Sequence, residues 1–234
     1  MKVLVIPDIH LKVWVIKAAE ELMNTGKYDK AVFLGDFVDD WDCGKKINMY
    51  EDIFSAIQDF MKKYPDSLIC YGNHDVSYVW EKYESGYSPL ARETVVACLK
   101  ELERSVKREN ITFMHKIDNV LFSHAGLTKG FILTHFIYDT DNSIEHIIEF
   151  TNAMPREELW DNCSPIWARP DDGYDFFSKG LLQVVGHTPI KKPAYDERNG
   201  LLMTDSFSTY PNGAAFGNKH FVWVDTKTKE WGEI

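Results

Sequence analysis

Three short buried-strand runs separated by two helical stretches constrain this chain more than any other feature. Val3 to Ile6, Ala31 to Leu34 and Leu68 to Tyr71 are dominated by aliphatic residues, as expected of strands covered on both faces. Each run stops at a residue that interrupts a ladder or turns the chain: Pro7, Gly35 and Gly72. Between them, Trp14 to Met23 closes on Asn24-Thr25-Gly26. Ile47 to Tyr64 carries Ile53, Ile57, Phe60 and Met61 at helical spacing, and Pro65 ends it. A β-α-β-α-β order predicts a parallel sheet with helices on its faces.

The second half reads differently. Ile111 to Ile117 and Val120 to Ser123 flank Asp118-Asn119, a hairpin signal. Ser143 is placed to cap a helix reaching Asn152. Leu181 to Val185, Leu201 to Thr204 and Phe221 to Val224 read as strands, and Asp225 to Lys229 as a turn into a last short strand. This half is expected to build a second, mixed sheet. Neither a repeat nor a Gly/Ser linker breaks the 234 residues. The expectation is one α/β domain over residues 1–234: a four-layer sandwich of two mixed β-sheets flanked by helices.

Polar clusters follow five of the strand runs: Asp8-Ile9-His10, Gly35-Asp36-Phe37-Val38-Asp39, Gly72-Asn73-His74-Asp75, Ser123-His124-Ala125-Gly126 and Gly186-His187-Thr188-Pro189. In open α/β sheets, ligands bind beyond the C-terminal strand ends. Taken singly, each cluster has an ordinary explanation. Asp-x-His recurs in solvated loops, a lone His is more often structural, and Gly-Asn is turn chemistry. Five in order, each after a strand, point to a dinuclear metal site. Asp8 and His10 sit two apart and need a turn to reach one ion, while Asp36 has two oxygens with which to bridge two. Carboxylates with imidazoles suit manganese, zinc and iron better than calcium. Two ions ~3.5–4 Å apart can clamp the attacking and leaving oxygens of a phosphoryl displacement. Gly35, Gly72, Gly126 and Gly186 fit sharp turns at a crowded site.

Composition narrows the partners. Lys and Arg number 26 against 36 Asp and Glu, a formal net charge of −10. That balance disfavours extended nucleic acid, which requires clustered cations, yet admits a small phosphorylated substrate held at a metal. The apolar runs are too short for a membrane span. Cys43, Cys70, Cys98 and Cys163 are widely spaced, which predicts reduced thiols in a cytoplasmic setting.

The ordered set resembles the calcineurin-like metallophosphoesterase superfamily, whose pattern is D-x-H, G-D-x-x-D, G-N-H-[DE], H-x-G and G-H. All five elements are present between Asp8 and His187. Pro189 stands where many members carry another histidine, so the chain looks closest to the branch holding Ser/Thr protein phosphatases and bacterial dinucleoside tetraphosphatases. The resemblance implies that Asp8, His10 and Asp36 hold one ion and that Asp36, Asn73, His124 and His187 hold the other. It implies that His74 protonates the leaving oxygen and that Asp39 orients His74. A water or hydroxide would attack in line. Manganese is the expected ion, with iron, zinc or nickel as alternatives.

One motif departs. The D-R-G that ends the second motif in the protein-phosphatase branch is Asp39-Asp40-Trp41 here. The phosphate-clamping arginine is therefore missing, and Asp40 is expected to repel phosphate. Arg169, in a W-x-R segment, is the first replacement candidate and Arg92 the second. Trp14, Trp80, Trp223 and Trp231 read as packing residues, Asp171, Asp172 and Asp175 as a solvated acidic face, and Asp205 as at most a support to the ligands. The leading expectation is a phosphoesterase like the Ser/Thr phosphatases, acting on a phosphoprotein. A nucleotide hydrolase acting on dinucleoside polyphosphates is the alternative, and a binding module without catalysis is a third.

Overall fold

The computed structural model describes residues 1–141 and 143–234. The first half builds β1 (Lys2–Ile6), α1 (Val13–Asn24), β2 (Lys30–Phe33), α2 (Ile47–Lys63), β3 (Leu68–Cys70), α3 (Asn73–Trp80) and α4 (Arg92–Ser105). β1, β2 and β3 run parallel, with ends within a residue or two of the expected runs. Side chains alternate across them. Leu4, Ile6, Ala31 and Phe33 face α1, α2 and α4, while Val3, Val5 and Val32 face the second sheet. α2 buries Ile53, Ile57, Phe60 and Met61 as its spacing requires, together with Tyr50 and Phe54. Lys62 and Lys63 in its last turn complement the helix dipole.

The second half adds β4 (Ile111–Thr112), β5 (Met114–Ile117), β6 (Val120–Ser123), α5 (Lys129–Phe136), α6 (Ile144–Asn152), α7 (Arg156–Leu159), β7 (Leu182–Val185), β8 (Ala194–Asp196), β9 (Leu201–Met203), β10 (Val222–Asp225) and β11 (Trp231–Glu233). Ser143 caps α6 as expected, its Oγ accepting from His146 N at 3.3 Å. The sheets run β11-β10-β1-β2-β3-β4 and β5-β6-β7-β9-β8. Each contains parallel and antiparallel pairs, so both are mixed, and the four-layer arrangement is observed.

Two expectations are corrected. The run Ile111 to Ile117 is not one strand: β4 extends the first sheet and β5 begins the second. The break at Phe113 is held by Asn152, whose Oδ1 accepts from Phe113 N and Met114 N and whose Nδ2 donates to Met114 O. The last two strands do not join the second sheet. β10 returns antiparallel to β1, setting Val222 and Val224 beside Val5 and Val3 in the layer between the sheets. Among the described residues no helix is long and apolar enough to cross a membrane.

The tryptophans divide. Trp80 packs on Trp160 and Phe113, and Trp223 lies under Lys2 at 3.8 Å. Trp14 touches Phe207 yet stays 44% exposed. Asp171, Asp172 and Asp175 are all exposed, as expected of a solvated face, and Asp175 pairs with Arg198 at 3.1 Å.

Candidate metal centre

The loops after β1, β2, β3, β6 and β7 meet at one edge of the two sheets. Their side chains form two three-residue groups with ligand atoms within 4.8 Å of one another: Asp8, His10 and Asp36, and Asp36, His124 and His187. Asp36 belongs to both. Asn73 joins the second group, its Oδ1 lying 3.0 Å from His124 Nε2. The loop after the second strand holds Asp36 at φ 51, while His10 has φ 46 and His187 φ 61. Left-handed backbone in non-glycine residues costs of order 1 kcal/mol or more each and collects where surrounding structure imposes it. Two glycines make the packing possible. A Cβ at Gly72 would overlap Asp36 Oδ1, and one at Gly186 would overlap Asp8 Oδ1.

Each imidazole is aimed by a backbone carbonyl. His10 Nδ1 donates towards Asp39 O at 2.9 Å and Val38 O at 3.1 Å. His124 Nδ1 donates to Leu34 O at 2.8 Å and His187 Nε2 to Trp167 O at 3.0 Å. A carbonyl only accepts, so the opposite ring nitrogen is left with its lone pair facing the cluster. His124 Nε2 and His187 Nδ1 lie 3.0 Å apart, and Asp36 Oδ2 is 3.2 Å from His124 Nε2. Lone pairs converging this closely in a buried pocket fit a cation among them.

Electrostatics agree. Asp8 is almost wholly buried, and its carboxylate accepts from His187 N at 2.9 and 3.1 Å. Burial, and then the neighbouring Asp205 charge, push its carboxyl well above the ordinary value. Buried carboxylates gathered this closely are costly, and a bound cation removes that cost. At Asp36, burial would raise the carboxyl, but the imidazoles of His124, His74 and His10 outweigh it and hold it well below the usual range. Burial pulls the His124 ring down, and the Asp36 and Asp8 charges overcome this and favour a positive charge at Nε2, a place that a bound cation takes when it displaces the proton. Burial, followed by His124 and Arg169, drives His187 well below its ordinary value, so its ring is neutral, as a ligand must be. Oxygen and imidazole donors without a thiolate suit hard and borderline divalent ions.

His74 lies beside this cluster. Its backbone N donates to Asp36 Oδ1 at 3.0 Å, and its ring Nδ1 is 3.0 Å from Asp39 Oδ2. Tyr50 and Tyr78 hydroxyls donate to the other Asp39 oxygen. Burial opposes the charged ring, but Asp36 and then Asp39 outweigh it, raising His74 to about 9. Asp75, the last residue of the third motif, serves the frame. Its carboxylate accepts from Asp36 N, Phe37 N and Gly72 N at 2.8, 2.8 and 2.9 Å, fastening the second-motif loop to the start of α3.

A cleft of about 310 Å3 opens over the cluster, lined by His10, Asp36, His74 and His187 on its floor. Arg169 lines it and donates to His187 O at 3.0 Å. Arg92, at the start of α4, lies outside this lining, and Glu81 holds its guanidinium at 2.5 Å away from the cleft. Asp40 does line the cleft, but Lys12 Nζ sits 3.1 Å from it with a nearly buried side chain, so the expected repulsion of phosphate is largely neutralised. Lys12 was not singled out from the sequence. No motif marks it, and its partner lies 28 residues away. Asp205 is fully buried and accepts from Phe207 N, Ser208 N and Ser208 Oγ.

Comparison with known proteins gives a family and a fold. The calcineurin-like phosphoesterase family pattern matches residues 1–216. A cold-active protein-tyrosine phosphatase of a psychrophilic Shewanella superposes with a TM-score of 0.58 at 14% identity, covering 99% of this chain and 80% of that one. A protein from Thermus thermophilus gives 0.52 at 9% identity, over 100% and 97%. At such identities these likenesses speak for the fold alone. No curated protein matches the chain. With two ligand groups sharing one carboxylate and a family match over most of its length, the chain belongs to the calcineurin-like phosphoesterases and is a metal-dependent phosphoester hydrolase.

Proposed function

We propose that this protein hydrolyses a phosphoester in line at a two-ion centre, with Asp8, His10 and Asp36 holding one ion and Asp36, Asn73, His124 and His187 the other. The observation that carries the reading is the sharing of Asp36 between two buried ligand groups. Two divalent ions there supply an activated water and neutralise charge on the phosphoryl oxygens. Manganese is the ion proposed, on donor chemistry. His74 is the general acid. Its Nδ1 bond to Asp39 orients the ring and favours its charged form, ready to give a proton to the departing oxygen. Arg169 takes the role of the missing D-R-G arginine, since it is the guanidinium that lines the cleft.

The core machinery is of the Ser/Thr-phosphatase kind, and phosphoproteins and nucleotides are the two substrate classes it admits. The four cysteines are unpaired, which supports a reducing, cytoplasmic setting. The test is direct. Protein stripped with chelator should be inactive on p-nitrophenyl phosphate, and manganese should restore turnover with two ions bound per chain. Full activity after stripping, or binding of less than one ion, overturns the reading.

A further inference from the structure

Beyond its charged floor, the cleft ends in aromatic side chains that the hydrolytic chemistry leaves unused. Trp41, Tyr210, Pro211 and Phe216 line it. Trp41 is 50% and Tyr210 40% exposed, yet both are tied down. Trp41 Nε1 donates to Thr209 O at 2.8 Å, and its backbone N donates to Asp40 Oδ1 at 2.8 Å. Lys191 Nζ donates to Tyr210 Oη at 2.7 Å and Phe216 O at 3.1 Å, and lies 3.9 Å from the Phe216 ring centre. Tyr210 and Phe216 pack at 5.2 Å between ring centres, and the bonds Tyr210 N to Ala214 O and Phe216 N to Ser208 O close the loop that carries them. Rings immobilised while still facing water gain little from folding. They form a preorganised surface for another ring.

The contacts leading there have an order. His74 meets Asp39; Asp40 follows, with Lys12 and the Thr209 hydroxyl; Trp41 comes after. In this chain of contacts, Asp40, Lys12 and Thr209 stand between the ligand cluster and the rings. That order suits a phosphate and a ring joined through a sugar better than a ring borne on the ester oxygen itself.

We propose that Trp41, Tyr210 and Phe216 form a base-stacking subsite, making a nucleotide the substrate. This rests on the hydrolytic reading above and selects between its two substrate classes. Stacking on an aromatic side chain is sequence-tolerant and strong enough to shift affinity by about tenfold.

The experiment compares AMP, ribose 5-phosphate and phosphotyrosine as substrates of the manganese-loaded protein. It also follows adenosine binding to the metal-free protein by tryptophan fluorescence. AMP should exceed ribose 5-phosphate in kcat/KM by about tenfold. Trp41→Ala and Tyr210→Ala should each collapse that ratio towards one, and Trp41→Phe should keep most of it. Adenosine should quench the wild-type protein and fail to quench Trp41→Ala. Equal values for AMP and ribose 5-phosphate, a ratio that survives both alanine variants, or a preference for phosphotyrosine overturns the subsite. Adenosine quenching with no hydrolysis of any ester upholds the subsite and sinks the hydrolytic reading instead.

Discussion

The floor of the cleft and its outer end are built in opposite ways. On the floor, the three candidate ligand imidazoles are fixed by carbonyls of the chain itself: Asp39, Leu34 and Trp167 hold His10, His124 and His187, and His74 beside them is held by the Asp39 carboxylate. At the outer end, side chains mostly fix one another across distant loops, as Lys12 and the Thr209 hydroxyl do with Asp40 and Lys191 with Tyr210. Backbone anchoring places atoms tightly, which suits chemistry that tolerates little displacement. Side-chain anchoring is easily re-tuned by substitution, which suits selection among substrates. One prediction of this contrast is that damage on the floor is large and touches every phosphoester, whereas damage at the outer end is small and depends on what the ester carries.

The largest effect is expected at Asp36. Asp36→Asn removes the charge shared by both ligand groups. Several kcal/mol of transition-state stabilisation would go with it, so turnover should fall by about 10³-fold or more, and metal analysis should find fewer than two ions per chain. Wild-type turnover in this variant would break the contrast at its root.

His74→Asn comes next. Both ions should stay bound, and hydrolysis of an alkyl phosphate should slow by ~10²–10⁴-fold. The loss on p-nitrophenyl phosphate should be smaller, because its leaving group needs less protonation. Equal losses on the two esters would remove His74 from proton donation.

Arg169 marks the boundary between the two regions. Its alanine variant should raise KM for phosphomonoesters by about tenfold and weaken inhibition by free phosphate in parallel, as loss of a charge-assisted bond predicts. Arg169→Lys should restore only part, since an ammonium lacks the planar fork. Arg92→Ala should change neither quantity, because Glu81 holds that side chain outside the cleft. The reverse pattern would make Arg92 the clamp.

The smallest effect is expected at Asp40. Asp40→Asn releases Lys12 from its partner and should lower KM for phosphate esters by about two- to fivefold, the scale of a partly solvated ion pair. An unchanged or raised KM would mean that Lys12 contributes nothing to binding even when free.

The same contrast explains what the sequence disclosed. The floor residues follow their strands within a few positions, so Asp8, Asp36, Asn73, His124 and His187 stood out as polar clusters, while their division between two ions came from the family resemblance. The outer end was not. Trp41 and Thr209 lie 168 residues apart, and nothing near either residue announces the other. The split at Phe113 was hidden for a similar reason. The residues on both sides suit a strand, and the clamp that parts them, Asn152, arrives from a helix 39 positions later. In contrast, α4 was legible but passed over. Val95, Leu99 and Leu102 are all buried, and they recur at intervals of four and three, a regular amphipathic signal.

The return of β10 to β1 has a bearing on the order in which a ribosome releases the chain. β1 emerges before the other strands of its sheet, and β2 can pair with it early, yet its other edge faces β10, over 200 residues downstream. Until Val222 to Asp225 appears, a strand of Val, Leu and Ile presents unpaired amides to its surroundings, the condition under which sheet edges seek foreign partners. Synthesis at ~5–20 residues per second keeps that edge open for about ten seconds or more. A protein whose first candidate ligands, Asp8 to Asn73, are synthesised well ahead of β10 therefore keeps that edge open until the late strand arrives.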